Sequence, residues 1–128
     1  MKKLIAVALA GALLATSLVA GPALGAAPKK VTTHATINFT TSTYSAAFKG
    51  KVKSKKAACR KKRKVVVIRK DNPNVKIAST KSNKKGKWHT DLGGTPPAGD
   101  YFAKEKKKKI KHGTVVCKKG KSPTISVP

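Results

Sequence analysis

Two cysteines, Cys59 and Cys117, restrict what this chain can fold into more than any other feature. If bridged, they tie the loop before the most apolar segment to a point near the C-terminus. On a chain-entropy account, closing a loop of that length removes freedom from the unfolded chain worth roughly 4 kcal/mol. A reactive or metal-binding thiol pair is the competing reading. It lacks support, because there is no Cys-x-x-Cys and no histidine at ligand spacing from either cysteine. The compartment then decides whether the pair is oxidised.

The N-terminus addresses the compartment. Met1-Lys2-Lys3 precedes an apolar run from Leu4 to Ala20, followed by Gly21-Pro22-Ala23-Leu24-Gly25-Ala26-Ala27. A basic start, a small and aliphatic run and small residues after a helix breaker predict a signal peptide over residues 1–25. Cleavage is expected after Gly25, with Ala26 and Ala27 as close alternatives. The competing reading is a membrane anchor, but the run only reaches the lower limit of roughly 17 residues for a span, and Ala and Gly dilute it. No cysteine follows that could carry a lipid, and Ser122-Pro123-Thr124-Ile125-Ser126-Val127-Pro128 has no hydrophobic tail. The expectation is a secreted protein with no transmembrane segment after cleavage, free or retained at the cell wall, with a Cys59–Cys117 disulfide.

Lys2 and Lys3 leave with the signal peptide, so 28 of the 30 Lys and Arg residues remain, against 4 acids, Asp71, Asp91, Asp100 and Glu105. Such an imbalance repels itself and, with few aromatics, is a usual signature of disorder. Period-two apolar segments separated by turn residues argue instead for strands. Ala35, Ile37 and Phe39 share one face. Phe48 and Val52 alternate with Lys49, Lys51 and Lys53, and Val65-Val66-Val67-Ile68 reads as a central strand buried on both sides. Val75–Ser79, Lys87–Leu92, Asp100–Lys104, Thr114–Cys117 and Thr124–Val127 complete the set. Asp71–Asn74 reads as a turn, Ser82–Gly86 as a hairpin turn and Gly93–Gly99 as a loop. The fold class is therefore all-β, a small antiparallel immunoglobulin-like sandwich of about seven strands with one disulfide. Residues 26–45 form a Thr/Ser-rich N-terminal segment with room for a first strand, and residues 46–128 form the basic sandwich domain.

The stretch "STKSNKKGKWHTDLGGTPPAGDYFAK" resembles the turn, strand, loop and strand signature of carboxypeptidase-regulatory-like, transthyretin-like and Cna-B-like domains. The matching positions are Thr80, Gly86, Trp88, Leu92, Pro97, Gly99 and Tyr101. "FKGKVKS" looks like that family's opening strand and "KVVVIRK" like its next core strand, so the match covers residues 46–104. The usual Gly-Pro-rich segment between those strands is replaced here by "KKAACRKKRK", and the region after Lys104 is lysine-rich. The whole chain looks like a class of small secreted actinobacterial proteins. The resemblance implies an immunoglobulin-like sandwich used as a structural or adhesive module without catalysis of its own.

Function follows from the cations. A Cys59–Cys117 bridge would bring Arg60, Lys61, Lys62, Arg63 and Lys64 near Lys118 and Lys119, and Lys106, Lys107, Lys108 and Lys109 add a further basic run. The expectation is an anion-binding patch for anionic polymers of the cell envelope or extracellular matrix, such as teichoic acid, acidic glycans or, non-specifically, nucleic acid. Lysine outnumbers arginine, which favours point-charge contact with phosphate over bidentate reading of bases. Few aromatics are left over for stacking, with Trp88 expected in the core rather than exposed to a sugar or base. His34, His89 and His112 lie on separate segments without a carboxylate at catalytic spacing, so no enzyme, metal or cofactor is expected. Two alternatives remain: an adhesive module with a protein partner, its charge serving solubility, and a cationic membrane-active effector.

Overall fold

In a computed structural model the described residues are 27–128, and the expected signal peptide lies outside them. Twelve short strands are described: β1 (Lys29–Val31), β2 (Thr33–Ala35), β3 (Asn38–Thr41), β4 (Ala46–Ser54), β5 (Lys64–Arg69), β6 (Asn72–Lys81), β7 (Lys87–Asp91), β8 (Gly99–Glu105), β9 (Lys108–Ile110), β10 (Val115–Cys117), β11 (Gly120–Lys121) and β12 (Ile125–Val127). One sheet has β4 at its centre, with β2 and β3 along one edge and β7 on the other. The second runs β11-β8-β5-β6, with β12 also pairing β8. A small third sheet, β1-β10-β9, contains the one parallel pair described, β1 with β10. The protein is all-β, as expected.

The two larger sheets bury a shared core because their strands alternate. Phe48 and Val52 of β4, Val65 and Val67 of β5, and Tyr101 and Ala103 of β8 all point into it at 0–1% exposure. Burying a side chain of this size fully is worth roughly 1.5–3 kcal/mol. The Phe48 ring lies 5.2 Å from Phe39 and 5.1 Å from Tyr101, tilted in both cases. Val66 and Ile68 point the other way and form a second apolar cluster with Phe102, so β5 is buried on both faces as its unbroken apolar run predicts. Trp88 belongs to the main core at 3% exposure.

Several local expectations change. The Ser82–Gly86 turn does not join a hairpin: β6 pairs with β5 and β7 pairs with β4, so this turn carries the chain from one sheet to the other. Asn83 builds it, its Oδ1 accepting from the Lys85 and Lys87 amides at 2.9 and 3.0 Å, while Gly86 supplies φ +84°. Asn72, Pro73 and Asn74 lie within edge strand β6, where Pro73 owes no hydrogen bond to a neighbour on its free side. The lysine run after Lys104 contains β9, which turns through Lys111 and His112, both left-handed, into β10. The 26–45 segment supplies β1, β2 and β3, and its Ala35 and Ile37 sit in the main core.

Pro97, Gly99 and Tyr101 act together. The Tyr101 hydroxyl, on a fully buried ring, donates to the Pro97 carbonyl at 2.6 Å, locking the loop to the start of β8. Gly99 has φ +150°, with the Arg69 guanidinium lying against the place a Cβ would occupy.

Candidate anion-binding surface

The disulfide is formed, with Cys59 and Cys117 Cα atoms 5.4 Å apart and both residues fully buried. A short 3-10 turn, Ala57–Cys59, delivers the first cysteine. Lys62 then adopts φ +51°, which leaves Lys61 and Lys62 in solvent while the chain turns inward at Arg63. Ser82, 4% exposed, holds this loop: its hydroxyl accepts from the Arg63 amide at 2.9 Å, and the Ser82 and Lys62 amides donate across the same gap.

Arg63 corrects the expected patch. It is fully buried, so it presents nothing to a soluble polymer. Its Nη1 donates to Cys59 O at 2.8 Å, and its Nη2 to Lys106 O at 2.8 Å and Lys118 O at 2.9 Å. One guanidinium therefore joins the basic loop, the end of β8 and the segment after β10. Its shape suits the task, because a planar fork spreads its donors over separate nitrogens in fixed directions, whereas an ammonium gathers its three on one. Burial pulls its pKa down from the ordinary value, and Glu105 nearby pulls it back up.

Glu105 was overlooked as a site residue. It is 1% exposed, and neither carboxylate oxygen has a hydrogen-bond partner. Burial pushes its carboxyl above the ordinary range, against the opposing pull of Thr33, Arg63 and His34. Thr33 helps little, since its hydroxyl donates to Lys118 O at 2.7 Å. The signal for both buried charges lay in phase: Arg63 shares the phase of Val65 and Val67, and Glu105 that of Tyr101 and Ala103.

The remaining expected residues divide into two groups. Arg60, Lys61 and Lys62 surround the disulfide loop with Lys108, whose Nζ donates to Lys61 O at 2.9 Å and which is only partly exposed. Burial first, then Arg63, Lys61 and Lys62, lower the Lys108 pKa. Lys64, Lys106, Lys107 and Lys119 belong to the other group, on the outer side of β5 and β8. Lys106 donates its amide to Lys64 O at 3.0 Å, and its side chain is crowded first by Lys76, then by Lys64 and Lys104, which lowers its pKa. Lys109 and Lys118 are exposed at the disulfide end, on and just after β9 and β10.

A third cationic region lies on the outer face of the β4 sheet. Lys49 and Lys51 of β4 stand opposite His89 and Lys87 of β7, and Lys53 stands opposite His34 of β2. Alternate residues along a strand recur at about 6.8 Å, so these lysines form a straight row. A shallow groove of about 640 Å³ follows the row above Gly50 and Trp88. Another, of about 780 Å³, continues it past Lys55 and Lys56 to Lys29 and Lys30. The Lys56 pKa is lowered by Lys111 facing it, by burial and by Lys29. Gly50 makes the row compatible with the core: a Cβ there would strike the Thr36 carbonyl and come within 2.7 Å of Trp88 Cζ2.

Acids do little to offset these cations. Among the described residues Arg69 and Asp71 form an ion pair at 2.9 Å, and His89 Nε2 lies 3.4 Å from an Asp91 carboxylate oxygen. Among the described residues no three His, Cys, Asp or Glu side chains come together as metal ligands, and no helix is long and apolar enough to cross a membrane. No protein-family model matches the chain, and no curated protein or solved structure matches it.

Proposed function

We propose that this is a secreted, non-catalytic β-sandwich that binds anionic extracellular polymers, such as teichoic acid, acidic glycan or DNA, through its lysine-rich surface. What carries the reading is like-charge crowding. Lys56 faces Lys111, and Lys106 faces Lys76, Lys64 and Lys104, each with its pKa lowered. Folding brings these ammonium groups together against their repulsion, and a polyanion relieves that repulsion when it replaces their counterions.

The ligand chemistry follows from the side chains. Ammonium groups make compact point contacts that suit phosphate and sulfate and read no base sequence. The row from Lys49 to Lys53 suits an extended chain lying along β4, and the cations around the disulfide loop offer a second contact. Arg63 and the disulfide serve as scaffold, holding those loops in register.

Retention of the oxidised protein on immobilised teichoic acid, heparin and DNA during a rising salt gradient tests the proposal. The expected result is late elution from all three, with affinity falling steeply and log-linearly with salt. Elution at low salt from every matrix overturns it.

A further inference from the structure

The outer face of β5, β6 and β8 holds apolar side chains, under a lysine rim, that a water-soluble polyanion has no use for. Val66, Ile68 and Phe102 point away from the main core and form their own cluster. A groove of about 560 Å³ runs over Val66 and Ile68, walled by Pro73, Lys76, Lys104, Lys106 and Lys119, with Glu105 also in its lining. Val66 and Ile68 on its floor are 2% and 6% exposed, and the neighbouring Phe102, 7% exposed, lies under the long side chain of Lys121, whose Nζ is 4.6 Å from the ring centroid. Glu105, the acid in the lining, has its carboxylate against Gly120 and beside Arg63 rather than among the lysine ammonium groups. An apolar floor under converging, unneutralised ammonium groups matches a ligand with an anionic head and a hydrocarbon start. The rim has an apolar side as well: Val75, 44% exposed, follows Pro73 and Asn74 on free edge strand β6.

We infer that this face binds an anionic phospholipid presented by a membrane surface, its phosphate taken by Lys76, Lys104 and Lys106 and its first acyl carbons resting on Val66 and Ile68. The lysine stems swing aside as the acyl carbons replace them, which flexible four-carbon chains permit. The exposed Pro73 and Val75 then meet the headgroup layer.

Charge alone draws so cationic a protein to an anionic vesicle, so the decisive measurement is binding that salt does not screen. Co-sedimentation of the disulfide-bonded protein with phosphatidylglycerol–phosphatidylcholine vesicles is compared at low and high salt, beside heparin elution. The expected result is vesicle binding that persists at a salt concentration where heparin releases the protein. At that salt, Val66→Thr and Ile68→Thr each weaken vesicle binding about tenfold while leaving heparin elution unchanged. Near-UV circular dichroism checks the fold of both variants, and Ile68→Thr keeps a β-branched residue in the strand. The inference is overturned if high salt strips the protein from vesicles as completely as from heparin, if both folded variants bind vesicles like the parent, or if soluble glycerol phosphate competes fully. Early heparin elution would count against the polymer-binding function and leave this inference standing.

Discussion

Replacing Arg63 with Met separates a buried scaffold residue from a surface contact. The Met stem fills much of the same space, but the guanidinium and its hydrogen bonds are lost. Cys59 O and Lys106 O then have no replacement donor, whereas Lys118 O keeps the Thr33 hydroxyl at 2.7 Å. Two stranded carbonyls cost about 1–3 kcal/mol each. Glu105 also loses the cation that offsets its burial. Relief from burying the guanidinium runs the other way, so the net loss is about 3–5 kcal/mol, the range found when one partner is removed from a buried charged pair. With a urea dependence of about 1.5 kcal/mol per molar, the unfolding midpoint falls by roughly 2–3 M. The assay is urea unfolding of the oxidised protein, followed by Trp88 fluorescence in enough salt to screen self-repulsion. A loss under about 1 kcal/mol with earlier heparin elution would refute the reasoning and return Arg63 to the surface.

Three further outcomes are expected. Glu105 has its folded pKa raised above its ordinary 4.5, so its contribution to stability is full below that value and lost as pH rises through the folded pKa. Glu105→Gln should therefore match the parent in acid and exceed it near neutral pH in thermal unfolding, and a variant less stable at both refutes the sign. Gly50→Ala should destabilise by at least the roughly 1–3 kcal/mol of overpacking, because its Cβ meets backbone at Thr36, and unchanged thermal unfolding contradicts this. The parent should melt at higher temperature as salt rises, and the Cys59→Ser/Cys117→Ser variant, weaker by roughly 4 kcal/mol, should need that salt to fold. Melting that ignores salt would remove self-repulsion from the account.

Strand phase was legible in the sequence because side chains alternate along an extended backbone whatever surrounds it. Phe48 and Val52 face in, Lys49 and Lys51 face out, and the unbroken run Val65–Ile68 serves two clusters. The cysteine pairing was equally legible, since two cysteines leave one partner for each. The same phase rule placed Arg63 and Glu105 inside, but their charge argued for the surface, and only tertiary packing settles such a conflict. Three carbonyls far apart in sequence converge on Arg63 and make its burial tolerable.

The sequence by itself determined the all-β class, the phase of the core strands, the disulfide and the great excess of cations. Tertiary structure decided where those cations stand. The 82–86 turn crosses between sheets, so β7 brings Lys87 and His89 beside β4, while β6 brings Lys76 beside Lys106. Composition counts charges, but only sheet pairing sets the distances between them, and electrostatic work depends on distance.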